Sequence, residues 1–160
     1  MKKRVFCCIL ALVIVVSFSS CLSLLFSHKY KYTIDKQNPA DQNATLIFKG
    51  WYLVREWNGV NIHDDVYEKS AWQGDGVTVT LTIPSGNGSV TFDTSFIIGD
   101  VEYSVKGVEL QYYFEAGKKY QVKSRADTKG FFKITGDLFL GIYDVTKGST
   151  LLKEWKVREI

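Results

Sequence analysis

The sequence predicts an all-β fold: an antiparallel two-sheet β-sandwich, Ig-like or jelly-roll-like, of about eight strands, preceded by an N-terminal signal or anchor helix. Three observations carry this. "VTVTLTI" at 77–83 alternates apolar residues with threonine without a break, the period of a strand with one face buried and one wet. Glycine-containing turn signals recur at roughly the eight- to twelve-residue spacing of a sandwich or small barrel. Downstream of the leader no window repeats its apolar residues at helical spacing.

Strands are expected, in order, at 44–49 running into 51–57, then 60–63, 77–83 and 89–98. They continue at 101–114 with a break near Gly107, 119–125, 131–144 with a bulge near Gly136, and 150–157. Asn58-Gly59 suits a two-residue hairpin loop, where both central residues take positive φ. Gly99-Asp100 puts glycine first, as a type II′ turn asks. "PSGNG" at 84–88, "EAGKK" at 115–119, "DTKG" at 127–130 and "TKGS" at 146–149 supply longer connections. Within 89–98, Val90, Phe92, Phe96 and Ile98 are expected inward, with Thr94 a polar exception. Within 101–114, Val108, Leu110, Tyr112 and Phe114 oppose Glu109, Gln111 and Tyr113. The segment 63–76 is the least regular and has room for one helical turn.

The chain of 160 residues is 46% hydrophobic and 14% aromatic, enough apolar material for one packed core. Its net charge of +3 comes from the leader: Lys2, Lys3 and Arg4 account for the excess of 20 Lys+Arg over 17 Asp+Glu. The remainder is formally neutral. Its densest basic stretches, "HKYKY" and "GKKYQVKSR", are too sparse to neutralise a run of phosphates. Nucleic acid is therefore not an expected partner. All three cysteines, Cys7, Cys8 and Cys21, lie in the first 21 residues, so thiol catalysis and cysteine-ligated zinc are excluded from the body.

The amino terminus has the grammar of an export signal: "MKKR", then the apolar "VFCCILALVIVVSF" at 5–18, then small residues ending in "SFSSC". These residues resemble a bacterial lipoprotein precursor. Phe18, Ser19, Ser20 and Cys21 stand where such precursors carry their lipobox. With Phe18 in the place of the usual leucine, the pattern is similar to the loosened form of spirochaetal lipoproteins. The resemblance implies cleavage before Cys21, acylation of that cysteine and anchoring in a membrane.

"LSLLF" at 22–26 leaves two alternatives open. Uncut, 5–26 is long enough to cross about 30 Å of hydrocarbon with its cations inside; cut without acylation, the body is released. The chain thus divides into 1–20 (signal, or anchor helix to 26), 21–43 (lipidated cysteine and polar tether) and 44–160 (the sandwich). "KYKYTI" at 29–34 alternates well enough to form an edge strand instead of tether.

Three candidate sites stand out. Trp51, Trp57 and Trp72, with Trp155, Tyr52, Tyr67 and Tyr113, could form an aromatic platform for a sugar or peptide, or could fill the core. His63 neighbours Asp64 and Asp65 but lacks a second ligand at zinc spacing. Asp64, Asp65, Glu68 and Asp75 offer calcium oxygens without the order of an EF-hand loop, and a solvated loop explains them equally. A hydrolytic triad would depend wholly on His63, and "GNGS" and "GDG" lack the lysine of a phosphate-binding loop. No cofactor or resident metal is expected.

These features predict an exported, membrane-anchored envelope lipoprotein, non-enzymatic, whose sandwich serves ligand binding, adhesion or envelope assembly. The alternative is a carbohydrate-binding or carbohydrate-active accessory domain using exposed aromatics. The expected partners are the lipid bilayer, through acyl chains or the anchor helix, and a carbohydrate or another envelope protein.

Overall fold

The computed structural model describes residues 28–67, 77–98, 101–129 and 135–159. Ten strands follow one another: β1 (Lys29–Thr33), β2 (Asn43–Lys49), β3 (Tyr52–Trp57), β4 (Val60–Asn61), β5 (Thr78–Pro84), β6 (Gly86–Ile98), β7 (Val101–Phe114), β8 (Lys119–Lys129), β9 (Thr135–Asp144) and β10 (Thr150–Glu159). A 3-10 turn, Ala40–Gln42, and one short helix, α1 (His63–Tyr67), complete the described elements.

The strands form two sheets, one of six in the order β1-β5-β2-β8-β9-β10 and one of four in the order β4-β3-β6-β7. They pack as a sandwich. The faces meet through aromatic rings: Phe48 of β2 lies 5.1 Å from Phe92 of β6, and Phe114 of β7 lies 5.3 Å from Tyr120 of β8. The alternation read from the sequence chooses the inner face. Val79, Leu81 and Ile83 of β5, Val90, Phe92 and Phe96 of β6, and Val108, Leu110 and Phe114 of β7 are all buried.

Thr94 is the inward polar residue, 3% exposed. Its Oγ1 donates to the Trp51 carbonyl at 2.9 Å, which satisfies the hydroxyl where the chain passes between sheets. The crossing from β2 to β3 is made at Gly50, whose φ of 108° is a conformation open to glycine. The expected run 44–57 is therefore two strands on two different sheets.

Several expectations change. The wide sheet is not purely antiparallel, because β1 pairs parallel with β5 and β2 pairs parallel with β8. Lys29–Thr33 is an edge strand, which resolves the alternative left open for "KYKYTI". The break near Gly107 is a β-bulge: β6 spans Phe92 to Thr94 opposite Val108 to Val105, with Gly107 at φ 64°. No bulge occurs near Gly136, since the β8–β9 ladder runs unshifted; the irregularities fall instead in β10, between Leu151 and Lys153 and between Lys156 and Arg158. The Gly99-Asp100 turn and residues 131–134 lie outside the described residues.

All strands run between two ends of the sandwich. The chain enters β1 at the end holding Lys49, Gly50 and Thr78, since Lys29 lies beside Thr78 and Thr78 beside Lys49. The opposite end carries the Asn58-Gly59 loop, the start of β6, the β7–β8 connection and the β9–β10 connection. Against the side of the sandwich, α1 touches β1 and β3. The hydroxyl of Tyr67, from α1, accepts the Val54 N–H at 2.9 Å, filling a backbone donor left open where β3 bulges between Val54 and Glu56.

Candidate functional site

At the end remote from β1's start, an open cleft of about 530 Å³ is lined by Asn58, Asn87, Ser89, Gln111, Tyr113 and Lys153, among others. Its floor follows from local sequence. Asn58 and Gly59 take φ 48° and 77°, so the two-residue loop is the one that the Asn-Gly pair predicts. Asn58 then joins β6 twice: its N–H donates to the Ser89 carbonyl at 2.8 Å, and its Oδ1 accepts the Ser89 N–H at 2.8 Å.

From Ser89 a polar row crosses onto β7. Ser89 Oγ and Gln111 Nε2 each donate to Glu109 Oε1 at 2.8 Å. The Gln111 and Ser89 donors hold the Glu109 carboxyl below the usual range. Beside this row Tyr113 is 61% exposed, a large ring that the sandwich leaves uncovered. Strict alternation on β7 explains its position: Phe114 and Tyr112 turn inward, and Tyr113 has to turn out.

Beneath the cleft the wall is tightly built. Trp57 is buried and its ring lies directly against Gly88; a Cβ added there would come within 2.4 Å of Trp57 Cη2. The sequence reading places Gly88 in a turn. It is instead a strand residue, kept small by the indole above it. Trp57 is thereby a core residue, in contact with Phe114 at 5.9 Å, and is withdrawn from any platform. Trp51 is half-buried in the bend before β3 and Trp155 packs partly buried on the core. Trp72 and Cys21 lie outside the described residues. Among the described residues the tryptophans are thus not gathered at one site, and the exposed aromatic that lines a cleft there is Tyr113.

A second, smaller cleft of about 290 Å³ adjoins Lys118, Asp144 and Thr146. Asp144 accepts from Lys118 Nζ at 2.9 Å and from the Thr146 N–H at 2.8 Å, while Thr146 Oγ1 accepts the Lys119 N–H. The Lys118 and Thr146 donors hold the Asp144 carboxyl at about 2. This set of contacts clamps two connecting loops together.

His63 lies at the start of α1. Its Nδ1 is 2.9 Å from Asp64 Oδ1, its N–H donates to Asn61 Oδ1, and its ring lies 5.0 Å from Tyr67. Asp65 accepts from Tyr32 Oη at 3.3 Å, so the two aspartates turn to different neighbours. Glu68 and Asp75 lie outside the described residues. Among the described residues no cluster of three or more His, Cys, Asp or Glu is placed to hold a metal, and no helix is long and apolar enough to cross a membrane.

No protein-family model matches the chain, and neither a curated protein nor a solved structure is detectably similar to it.

Proposed function

We propose that the chain is an exported envelope lipoprotein, acylated on Cys21, whose β-sandwich is a non-enzymatic binding module. In this reading the two sheets are a sandwich of the Ig-like or jelly-roll-like kind, altered by two parallel ladders, and the fold is a rigid frame that presents its end loops. Acyl chains on Cys21 hold the body to a bilayer, each buried CH₂ contributing about 0.8 kcal/mol. The leader "MKKR", its apolar run and "FSSC" support the anchoring.

The observation that carries the binding role is Tyr113, standing 61% exposed beside Asn58, Asn87 and Gln111 at the rim of a cleft. A ring flanked by amides suits a carbohydrate, which offers an apolar face of C–H groups for stacking and hydroxyls for hydrogen bonding. The cleft also has the size of a small-ligand site. Glu109 holds its oxygen toward Ser89 and Gln111, which fixes the Gln111 amide before a ligand arrives.

Intact mass of the membrane-extracted protein tests the anchoring. The expected mass begins at Cys21 and includes acyl chains, and Cys21→Ala abolishes that processing. An unprocessed mass in both proteins refutes acylation and favours the uncut anchor. For the cleft, a glycan panel is the test: Tyr113→Ala should lose the binding that the parent shows while keeping its circular dichroism spectrum. Equal binding by both proteins refutes the role of Tyr113.

A further inference from the structure

We infer that the end of the sandwich carrying the far halves of β6 and β7 rests in the membrane surface, with Ile97 and Val101 at the headgroup boundary and the Tyr113 cleft facing away from the bilayer. This rests on the anchored reading above and fixes the orientation that anchoring imposes.

Little chain separates the anchoring residue from the sandwich. Because β1 is part of the wide sheet from Lys29 onward, the link from Cys21 is not the long tether expected from the sequence. Only 22–28 lie between the acylated residue and β1. Fully extended, that stretch spans at most about 25 Å. If 5–26 remains uncut as a spanning helix, the sandwich starts closer still.

The second quantity is how far the sandwich reaches past the point where the chain enters it. Lys29 lies level with Thr78 and Lys49. Phe48, beside Lys49, pairs with Val122 of β8 and touches Phe92 of β6. Beyond those residues β8 runs on to Lys129 and β6 to Ile98, past the end at which β1 starts. At about 3.3 Å per residue each extension is roughly 20 Å of strand. Sheet twist shortens its projection on the membrane normal but does not reverse it. The reach of the strands is comparable with the greatest length of the link, so an upright sandwich brings this end to the bilayer.

The chemistry of the end fits a lipid surface. Ile97 is 57% exposed and Val101 49% exposed. They are on adjacent strands, Ile97 opposite Glu102 and Val101 opposite Ile98, so they project from opposite faces of the ladder and each face near its tip carries one exposed aliphatic residue. The opposite end also exposes apolar residues, Val60 at 65% and Leu151 at 47%, so the short link selects the end, and the burial of Ile97 and Val101 adds about 25 cal/mol per Å² to it. Lys29 and Lys49, exposed at the level where the chain enters, add positive charge toward anionic headgroups. Tyr113, at the opposite end of β7, then faces outward.

Acylated protein reconstituted into phosphatidylethanolamine–phosphatidylglycerol vesicles tests the orientation. Acylation occupies the Cys21 sulfur, so Ile97→Cys, Val101→Cys and Asn87→Cys each add a single thiol for an environment-sensitive fluorophore. Flotation with the vesicles is scored first, then quenching by headgroup-attached nitroxide lipid. The expected result is flotation of all three, with a blue shift and loss of most emission at 97 and 101 but not at 87. Val101→Cys reads the same end should Ile97→Cys fail to fold. Flotation with no quenching at 97 and 101, or with quenching equal to that at 87, overturns the orientation alone. Failure to float overturns the anchoring, and the orientation with it.

Discussion

Gly88→Ala isolates the contact that shapes the floor of the cleft. In the folded protein the new methyl would lie 2.4 Å from Trp57 Cη2, 2.7 Å from Cζ2 and 3.3 Å from Phe114 Cε2. Ordinary carbon contacts are about 3.5–4.0 Å, so the overlap exceeds an ångström and is made against a buried ring. Trp57 is 6% exposed and is backed by Phe114, so it has little room to withdraw. Overpacking of this kind costs about 1–3 kcal/mol. Alanine's smaller loss of chain entropy returns about 0.5–1 kcal/mol. The difference is about 0–2.5 kcal/mol, and an overlap this deep against a buried ring belongs in the upper half of that range, which should lower Tm by roughly 3–8 °C, read by far-UV circular dichroism. The same substitution in a Trp57→Leu background removes the clash, so the double-mutant cycle should show coupling of about 1 kcal/mol or more. A Gly88→Ala protein that melts at or above the parent temperature, or a cycle without coupling, refutes the placement of Trp57 over Gly88.

Tyr67→Phe should cost about 1–3 kcal/mol in urea unfolding, because it leaves the buried Val54 N–H without its acceptor; an unchanged midpoint would show that water replaces the hydroxyl. Asp144 sits at about 2 against an ordinary 3.8. Its stabilising contribution is complete above the ordinary value and disappears as pH falls from about 4 toward 2. Asp144→Asn should therefore flatten the acid limb of a Tm-against-pH curve in that window and leave its shape at neutral pH unchanged. An identical acid limb in both proteins would mean that Lys118 and Thr146 do not hold the carboxylate.

Most strands were legible in the sequence because their physics is local. A strand such as 77–83 declares its buried face by alternation alone, and Asn58-Gly59 declares a loop that needs two positive φ values. What was not legible depends on partners distant in the chain. Nothing in "NATLIFK" or "KYQVKSRADTK" announces that β2 and β8 lie side by side and parallel. Lys29–Thr33 reads as tether or strand until β5 supplies a partner. Gly88 looked like a turn glycine because the indole that requires it lies 31 residues earlier. The site was legible only in part. Tyr113 belonged to the outward face of its strand from the start, but the amides around it come from a loop and two strands that only the fold assembles. Tryptophan was ambiguous in the sequence, fit for a platform or for the core: Trp57 is large enough to be valuable inside, and the fold places it there.

The parallel pairing of β1 with β5 has a mechanical consequence. A body held by its amino end and drawn away from that hold is loaded along the axis of β1. The rungs from Lys29↔Thr78 to Thr33↔Thr82, extended by bonds from the Thr78 N–H to the His28 carbonyl and from the Ile34 N–H to the Thr82 carbonyl, then resist together in shear. Peeling would break them one at a time under a smaller force. Held in that way, the first strand of the sandwich would serve as a grip, with the rest of the fold packed for as long as that grip holds.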